Sequence, residues 1–297
     1  MDQNDIERAS LVALQYGSDV IKPATLRLMY EETRSFAAIL DAEAEGTGNA
    51  DEMRQKAFAQ VAEWESDGTR LLTCMDVGYP AQLLDVYDYP LMIFTRGTLP
   101  PPNHRDLGIS IVGSRDAEPW AIESAKFMAS RLVSQGVTVV SGLAAGVDAA
   151  AQRTALDLGG RTVGIIGTGI RRQYPAANAS LQLEVEQRGL VVSQFWPDEP
   201  PRQRNFPMRN GVMSAYGLAT IVVQASEKSG TRHQVAQAVK HGRPVILSQA
   251  VAEMTSWGRK YGEDPLNRVS VAGNEDEALG LAFQAIHPPM PQVLQKA

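Results

Sequence analysis

The stretch GISIVGSRDAEPWAIESAKFMASRLVSQGVTVVSG, residues 108–142, decides the fold of this chain. It contains two short apolar, β-branched runs at 109–112 and 137–140, and between them Pro119 and Gly136 bracket a segment of helical length. Proline is favoured at the first position of a helix, and glycine is favoured just after its end. The stretch therefore predicts a strand, a helix and a second strand, and strands joined in this way lie parallel in one sheet.

The same rhythm continues along the rest of the chain. Apolar runs without polar alternation are typical of strands whose two faces are both covered by helices. We therefore predict a doubly wound, Rossmann-like α/β fold, in which a mostly parallel sheet carries helices on both faces. The further runs that predict strands are 162–166, 190–192, 219–223, 244–247 and 268–271.

Differences in residue composition and spacing along the chain predict three regions. Residues 1–70 are rich in Ala, Glu, Leu and Arg, with apolar residues at helical spacing, which predicts a small N-terminal helical subdomain. Residues 71–107 contain two Tyr-Pro pairs and the proline-rich TLPPPN, which predict a connector with an edge strand. Residues 108–297 then form the Rossmann-like core. A chain of 297 residues with 44% hydrophobic content fits one large core with a smaller appendage.

Charge is distributed unevenly between these regions. The net charge of -6 alone would argue against a nucleic-acid partner. The first 70 residues carry 7 Lys and Arg against 14 Asp and Glu, whereas the remaining 227 residues carry 21 against 20. The acidity therefore belongs to the N-terminal segment, for which we expect a protein-contact or linker-like role. The core can present a basic patch.

Cysteine usage and the N-terminus indicate the compartment. Cys74 is the only cysteine, so we expect neither an internal disulfide nor a cysteine zinc cluster. The N-terminal MDQNDIERAS is acidic where a signal peptide is basic and apolar, and no run reaches the roughly 18 apolar residues that span a bilayer. We expect a cytoplasmic protein without a membrane partner.

Glycine and hydroxyl residues directly follow several predicted strands. Ligands of open α/β sheets bind outside the carboxyl ends of the strands. Glycine lets backbone N–H groups approach an anion at a helix N-terminus, which carries about half a positive charge. The residues in these loops that we expect to hold phosphate are Gly113, Ser114, Arg115, Ser141, Gly142, Gly146, Gly167, Gly169, Ser229, Gly230 and Thr231.

Arginines and aromatic residues accumulate in SQFWPDEPPRQRNFPMRN, residues 193–210. A protein that binds single-stranded DNA uses guanidinium groups for phosphates and flat side chains for bases, each stack contributing about 1–3 kcal/mol. For Phe206 and Trp196 a place in the core is as good an interpretation as stacking, because large aromatic residues carry much of core packing. The candidate DNA-binding residues of this stretch are Arg202, Arg204, Phe206, Arg209 and Asn210.

Several enzyme classes lack their signatures in this sequence. It contains neither a GxGxxG dinucleotide fingerprint, nor a GxxxxGK[ST] P-loop, nor a GxSxG nucleophile elbow. Four scattered histidines give no metal-ligand spacing. We predict no cofactor, no metal and no catalytic residue, and we interpret Asp148 as a helix cap in preference to a catalytic group.

Five segments resemble the DprA/Smf family of DNA-processing proteins in order and spacing. The resemblance covers about 75–250 and implies a Rossmann-like core that dimerises and binds single-stranded DNA without sequence preference. It also implies that the protein loads a RecA-type recombinase onto that DNA during uptake of transforming DNA. The segments are IVGSR at 111–115, SGLAAGVDAAAQRTAL at 141–156, GTGIRRQYPAANASL at 167–181, FPMRNGVMSA at 206–215 and VVQASEKSGT at 222–231.

The resemblance places Arg115, Arg209 and the glycines at 113, 142 and 146 in the family's anion-binding pocket. The sequence departs from the family pattern where the family has a histidine, two acids and an arginine. The chain also ends in HPPMPQVLQKA, so we expect no winged-helix segment after the core. The residues at the four departing positions are Gln152, Gln194, Gln224 and Gly211.

Two alternative functions share the same loops. Nucleotide N-glycosidases of the phosphoribohydrolase type carry a GGxGTxxE motif, which SGTRHQ at 229–234 resembles except that Gln234 replaces the acid. A neutral amide cannot serve as a general acid or base, which disfavours hydrolysis. A sensor that binds a free nucleotide would use every loop named above and stays open.

Overall fold

One sheet of nine strands organises the molecule. The structure is a computed structural model that describes residues 2–16, 21–46, 48–102 and 104–286. The strands are β1 Arg70–Thr73, β2 Met92–Gly97, β3 Gly108–Val112, β4 Thr138–Ser141, β5 Thr162–Ile165, β6 Leu190–Ser193, β7 Ala219–Val222, β8 Val245–Ser248 and β9 Val269–Ala272. Their order across the sheet is β1-β2-β6-β5-β4-β3-β7-β8-β9.

The predicted doubly wound topology is confirmed. Every neighbouring pair from β6 to β9 is parallel, whereas β1 and β2 extend the sheet beyond β6 in antiparallel pairing. All seven predicted strands are present. The residues of β3 to β7 are buried throughout, whereas β9 at the edge of the sheet is partly exposed. β1 and β2 come from the stretch that includes the proline-rich connector, and they form one edge of the sheet.

Twelve α-helices surround the sheet within the described residues. Four precede β1, and the others follow the strands of the core, with α10 and α11 forming a helical pair after β8. The helices are α1 Gln3–Gln15, α2 Pro23–Thr33, α3 Phe36–Glu43, α4 Ala50–Glu65, α5 Pro119–Ser134, α6 Val147–Asp157, α7 Ala179–Arg188, α8 Asn205–Tyr216, α9 Thr231–Lys240, α10 Gln249–Met254, α11 Ser256–Glu263 and α12 Glu275–Ile286.

The two faces of the sheet have separate cores. Ile109 and Ile111 of β3 pack with residues of α5, α6 and α12, whereas Val112 packs with residues of α8 and α9. Successive side chains of a strand point to opposite faces of the sheet, and here both faces are apolar. α8 and α9 therefore lie on one face, opposite α5 and α12.

The order of the strands creates a crevice beside β3. The chain proceeds from β3 through β4 and β5 to β6 on one side, and then returns to place β7, β8 and β9 on the other side. Loops leaving β3 and β7 thus diverge at a topological switch point, which is where open α/β sheets bind ligands.

The four N-terminal helices pack against the edge of the sheet that carries β2. Trp64 of α4 makes an edge-to-face contact with Phe94 of β2, their ring centroids 5.2 Å apart. No helix among the described residues is both long and apolar enough to cross a bilayer. The C-terminal HPPMPQVLQKA, predicted as the end of the core, lies outside the described residues.

Candidate nucleic-acid interface

A cavity of about 390 Å³ opens at the switch point. Its walls are the loop after β3, the first two turns of α8, and the segment from the loop after β7 into α9. The volume suits a small ligand or part of a larger one. The predicted residues that line it together are Gly113, Ser114, Arg115, Phe206, Arg209, Asn210, Ser229, Gly230 and Thr231.

Arg209 is the buried cation of this cavity. It stands in the second turn of α8 and is only 6% exposed. Its Nη1 donates to the Ile165 carbonyl oxygen at 3.2 Å and to the Met213 Sδ at 3.8 Å. Its Nε has no hydrogen-bond partner among the described residues. Burial lowers the pKa of Arg209, although the charge of Asp148 opposes this, and Arg115 adds to the lowering. Two neighbouring guanidinium groups with unused donors favour an anion between them.

Gly142 makes the room that Arg209 occupies. A Cβ atom on this glycine would overlap Nη1 of Arg209. The Gly142 N–H donates instead to Oδ2 of Asp148 at 3.1 Å. Burial raises the pKa of Asp148, while the charge of Arg209 counteracts the rise. The Asp148 carboxylate, in the first turn of α6, therefore holds the loop after β4 in place. The N-cap residue of α6 is Gly146, and not Asp148 as the sequence had predicted.

Phe206 forms an aromatic wall of the cavity. The guanidinium carbon of Arg115 lies 5.4 Å from its ring centroid, within range of a cation–π contact. The Tyr174 ring lies 5.7 Å away at an interplanar angle of 41°. A Cβ on Gly167 would come within 2.8 Å of the Phe206 ring, so this glycine lets the ring sit against the end of β5.

The start of α9 brings hydroxyl groups to the cavity wall, while the N–H groups of Arg232 and His233 donate to the carbonyls of Ser229 and Gly230. Ser229 Oγ accepts from the Thr231 N–H at 3.1 Å, and Thr231 Oγ1 donates to the Gly113 carbonyl at 3.4 Å. The N-cap residue is Gly230, which has no side chain to cap the helix, so the positive end of the helix dipole lies at the cavity wall. This arrangement suits phosphate.

The loop before α9 is held from the far side by α11. Glu227 accepts hydrogen bonds from the N–H and the hydroxyl of Ser256, at 2.7 and 2.5 Å. Trp257 Nε1 donates to the Ser226 carbonyl at 3.4 Å. The sequence interpretation missed this tether, since the partners lie on different elements.

Gln234 is a further cavity residue whose role the sequence did not reveal. It is 1% exposed, lines the cavity, and has no hydrogen-bond partner for Oε1 or Nε2 among the described residues. The buried positions of α9 are Thr231, Gln234, Val235 and Ala238, a helical spacing that would have identified Gln234 as an amide on an inward face.

Seven predicted residues do not line the cavity. Ser141 is fully buried and donates to the Ile111 carbonyl at 2.6 Å. Gly146, with φ of 76°, packs against the carbonyls of Ser114 and Arg115, and so shapes the loop after β3. Arg202 is paired with Glu199 at 2.7 Å. The seven are Ser141, Gly142, Gly146, Gly167, Gly169, Arg202 and Arg204.

Trp196 belongs to the core and not to the cavity wall. Its ring stacks on Trp64 of α4 with centroids 5.4 Å apart, and it contacts Tyr16 of α1 edge-on at 4.9 Å. Gly169 allows this, because a Cβ there would strike the carbonyls of Trp196 and Pro197. Of the two interpretations of Trp196, the structure favours packing.

A serine, a histidine and an aspartate form a hydrogen-bonded chain elsewhere in the fold. Ser214 Oγ lies 2.6 Å from His241 Nδ1, and His241 Nε2 lies 2.7 Å from Asp88 Oδ1. Ser214 is fully buried within α8, so the chain ties the connector to α8 and α9 and offers no nucleophile to a substrate. The described residues also hold no cluster of three or more His, Cys, Asp or Glu side chains able to bind a metal.

Comparisons with known proteins agree with this fold. A family model described as DNA recombination-mediator protein A matches residues 70–261. The DNA processing protein DprA of Streptococcus pneumoniae is 35% identical over 176 residues, which make up 58% of this chain and 60% of that relative. This chain thus spans about three fifths of the length of that curated relative.

Two solved structures share the architecture. The X-ray structure of DprA from Streptococcus pneumoniae has a TM-score of 0.68 at 24% identity, covering 93% of this chain and 95% of the other. A Helicobacter pylori DprA structure, described as giving insight into a unique single-stranded DNA binding mode, has a TM-score of 0.62 at 23% identity over 72% of this chain and 96% of the other.

Proposed function

Because this chain belongs to the family of DNA recombination-mediator protein A, we propose that it binds single-stranded DNA without sequence preference at the cavity between β3, α8 and α9. The observation that carries the proposal is Arg209, a buried guanidinium that lines the cavity beside Arg115 with its Nε unpaired among the described residues. Phosphate is the group on a DNA strand that would satisfy it.

The other cavity walls suit a single strand. The positive end of the α9 dipole attracts phosphate, and Phe206 offers a flat surface for a base. Phosphates are the same for every sequence, and every base has a stacking face. Binding through these groups is therefore tolerant of sequence.

The similarity to proteins that act on DNA supports this choice. The Helicobacter pylori relative is described as binding single-stranded DNA, and it shares the fold. We extend that activity to this chain as part of the proposal, together with a role as a recombination mediator that loads a RecA-type recombinase onto exposed or incoming DNA.

Dimer formation and the role of the N-terminal helices are further parts of the proposal. We assign residues 1–70 to a helical subdomain for protein contacts, because its acidity repels DNA. The connector at 71–107 and the core at 108–297 then form the DNA-binding unit, in a cytoplasmic protein that acts as a homodimer. Light scattering of the whole chain gives its mass in solution, and a monomer would remove the dimer from the proposal.

We assign no enzymatic activity to the cavity. A hydrolase of the phosphoribohydrolase type needs a carboxylate at the position of Gln234, where this cavity has an uncharged amide. Incubation with nucleoside monophosphates should release no free base, as chromatography would detect. A released base would replace the binding function with hydrolysis.

Salt dependence tests the proposed function directly. Fluorescence anisotropy with labelled oligonucleotides of different sequence, at about 50 and about 200 mM salt, measures the affinities. We expect similar affinities for all sequences and a steep loss at the higher salt concentration, because each neutralised phosphate releases counterions. Absent or salt-independent binding would refute the proposal.

A further inference from the structure

Leu143, in the loop after β4, has an unusual backbone conformation. Its φ is 55°, in the left-handed region, and Arg34 is the only other non-glycine residue of the described chain with a positive φ. Arg34 ends helix α2, where a left-handed residue is common. Leu143 lies instead between β4 and α6, and this conformation is costly for a side chain of its size. Such a residue persists only where the surrounding structure holds it, often at a functional site.

Two side chains hold the backbone of Leu143. Its N–H donates to Oε1 of Gln152 at 2.9 Å, and its carbonyl accepts from Nδ2 of Asn178 at 2.9 Å. Asn178 stands at the N-cap position of α7, yet its side chain makes no cap hydrogen bond there. Both polar backbone groups of Leu143 are therefore bound by side chains, one from α6 and one from the start of α7.

Gln152 links this loop to strand β5. It is fully buried, and its Nε2 donates to the Val163 carbonyl at 3.2 Å and to Thr162 Oγ1 at 3.4 Å. The Leu143 side chain also lies against β5, because a Cβ on Gly164 would come within 2.8 Å of its Cδ1. The loop is thus fixed to β5 through the backbone and the side chain of one residue.

The conformation of Leu143 determines where Gly142 lies. Gly142 directly precedes Leu143, and the Arg209 guanidinium fills the space that a Cβ on Gly142 would need. Arg209 Nη1 also donates to the Ile165 carbonyl, at the end of the same strand β5. A change of Leu143 to a right-handed conformation would move Gly142 relative to β5, and so would displace the surface against which the guanidinium packs.

We propose that Gln152 and Asn178 are positioning residues of the candidate site, which hold Leu143 in its left-handed conformation and thereby keep Gly142 against the guanidinium of Arg209. Neither side chain lines the cavity, so both act on a bound anion only through Arg209. This inference rests on the proposed function, because Arg209 is the cation to which we assign the phosphate.

The experiment removes each hydrogen bond to Leu143 in turn, with Gln152→Leu and with Asn178→Ala. Gln182→Leu in α7 is the matched control. Gln182 is also buried, and its Nε2 donates to a loop carbonyl, that of Arg172, at 3.0 Å, but neither residue lines the cavity. Affinities are measured at a temperature where every variant is folded, since the loss of a buried hydrogen bond lowers stability in all of them.

We expect Gln152→Leu to weaken binding of a deoxythymidine oligomer by about tenfold, and Asn178→Ala, at a less buried position, by about threefold. Both should lower the salt slope by about 1, the loss of one phosphate contact. A smaller folded fraction would lower the apparent affinity without changing this slope. Gln182→Leu should keep the wild-type affinity and slope. Unchanged affinity in Gln152→Leu or Asn178→Ala, or an equal loss in Gln182→Leu, would overturn the inference.

NMR of the free protein gives a measurement that does not depend on DNA. The Arg209 Nε–H signal, assigned by its absence in Arg209→Lys, should shift in Gln152→Leu and Asn178→Ala but not in Gln182→Leu. Hydrogen exchange at the Leu143 amide should become faster in Gln152→Leu. An unmoved Arg209 signal in Gln152→Leu would overturn the inference even if DNA binds. A shifted signal in a protein whose wild type binds no DNA would refute the proposed function and leave the positioning of Arg209 intact.

Discussion

At the scale of single residues, the candidate site depends on how little space surrounds Arg209. Gly142 leaves the volume that the guanidinium fills, and the Ile165 carbonyl accepts one of its hydrogen bonds. The charge of Asp148 raises the pKa of Arg209, and the Asp148 carboxylate accepts a hydrogen bond from the Gly142 N–H. The guanidinium is thus held in place without being neutralised by an ion pair, a state that suits an external phosphate.

A comparison of Arg115 with Arg204 tests whether a cation that lines the cavity matters more for DNA binding than a cation on the surface elsewhere. Arg115→Ala should lower oligonucleotide affinity by about tenfold, the size of one hydrogen bond to a charged group, equally for every sequence. The salt slope should fall by about 1. Arg204→Ala is the control, since Arg204 is exposed and does not line the cavity. Anisotropy titrations measure both, and an equal loss in Arg204→Ala would contradict the assignment of the site.

Two glycine substitutions distinguish binding from folding. Gly142→Ala should displace the flexible end of Arg209, weakening DNA binding about tenfold with little change in melting temperature. Gly146→Ala should cost about 1–3 kcal/mol of folding free energy, because its positive φ is strained for alanine and its Cβ meets backbone carbonyls. Thermal unfolding and anisotropy on both variants check this, and the reverse pattern would refute it.

At the scale of secondary-structure elements, the cavity depends on a loop whose support comes from a helix outside the cavity. Residues 223–230 join β7 to α9 and supply Ser229 and Gly230 to the cavity wall. Glu227 in the same loop accepts two hydrogen bonds from Ser256 at the start of α11. Helix α11 therefore holds a loop of the cavity wall through residues that do not line the cavity.

The contact between Glu227 and Ser256 can be tested with two single variants and the double variant. Glu227→Gln and Ser256→Ala should each weaken DNA binding by roughly threefold, about the value of one hydrogen bond. The double variant should lose no more than the larger single loss, because both changes remove one interaction. Glu253→Gln on α10 is the control. Additive losses in anisotropy titrations would show that the two residues act independently.

At the scale of the whole molecule, charged contacts join the N-terminal helices to the core. Asp67, just after α4, accepts from Arg96 of β2 at 2.6 Å and from Arg171 after β5 at 2.8 Å. The aromatic contacts of Trp196 with Trp64 and Tyr16 lie in the same junction. Arg171 thus serves to hold the N-terminal helices against the core, whereas Arg115 and Arg209 line the cavity.

Asp67 makes stability depend on pH. Although burial acts in the opposite direction, hydrogen bonds from Thr69 and the charge of Arg96 lower the pKa of Asp67 to about 2 from the usual 3.8. Because this pKa is lower in the folded protein than in the unfolded chain, the charged carboxylate adds folding stability at pH values above the pKa of the unfolded chain. This added stability is lost as the pH falls through about 2, the pKa in the folded protein. Asp67→Asn should therefore cost about 1 kcal/mol near neutral pH, after allowance for solvent screening.

Urea unfolding of the wild type and of Asp67→Asn, at pH values from about 7 to about 2, measures this difference. We expect the gap in unfolding free energy to narrow only below about pH 4. Asp198→Asn, which removes a more exposed partner of Arg171, is the control and should have a small effect at every pH. A gap that stays constant with pH would assign the loss to something other than the charge of Asp67.

The sequence by itself determined the family, through motifs in the right order, and it determined the parallel sheet and the loops that meet at the edge with the cavity. The sheet and the loops follow from local order: apolar runs, helix-length spacers, and glycines placed after strands. It also identified Arg115, Phe206 and Arg209. The tertiary structure decided which of the arginines meet, that Trp196 packs inside, and that the Gln234 amide is buried with no partner among the described residues. These outcomes depend on contacts between distant segments, such as Thr231 with Gly113, 118 residues apart. A local sequence pattern does not show which distant residues come into contact, because these contacts depend on how α8 and α9 pack against β3.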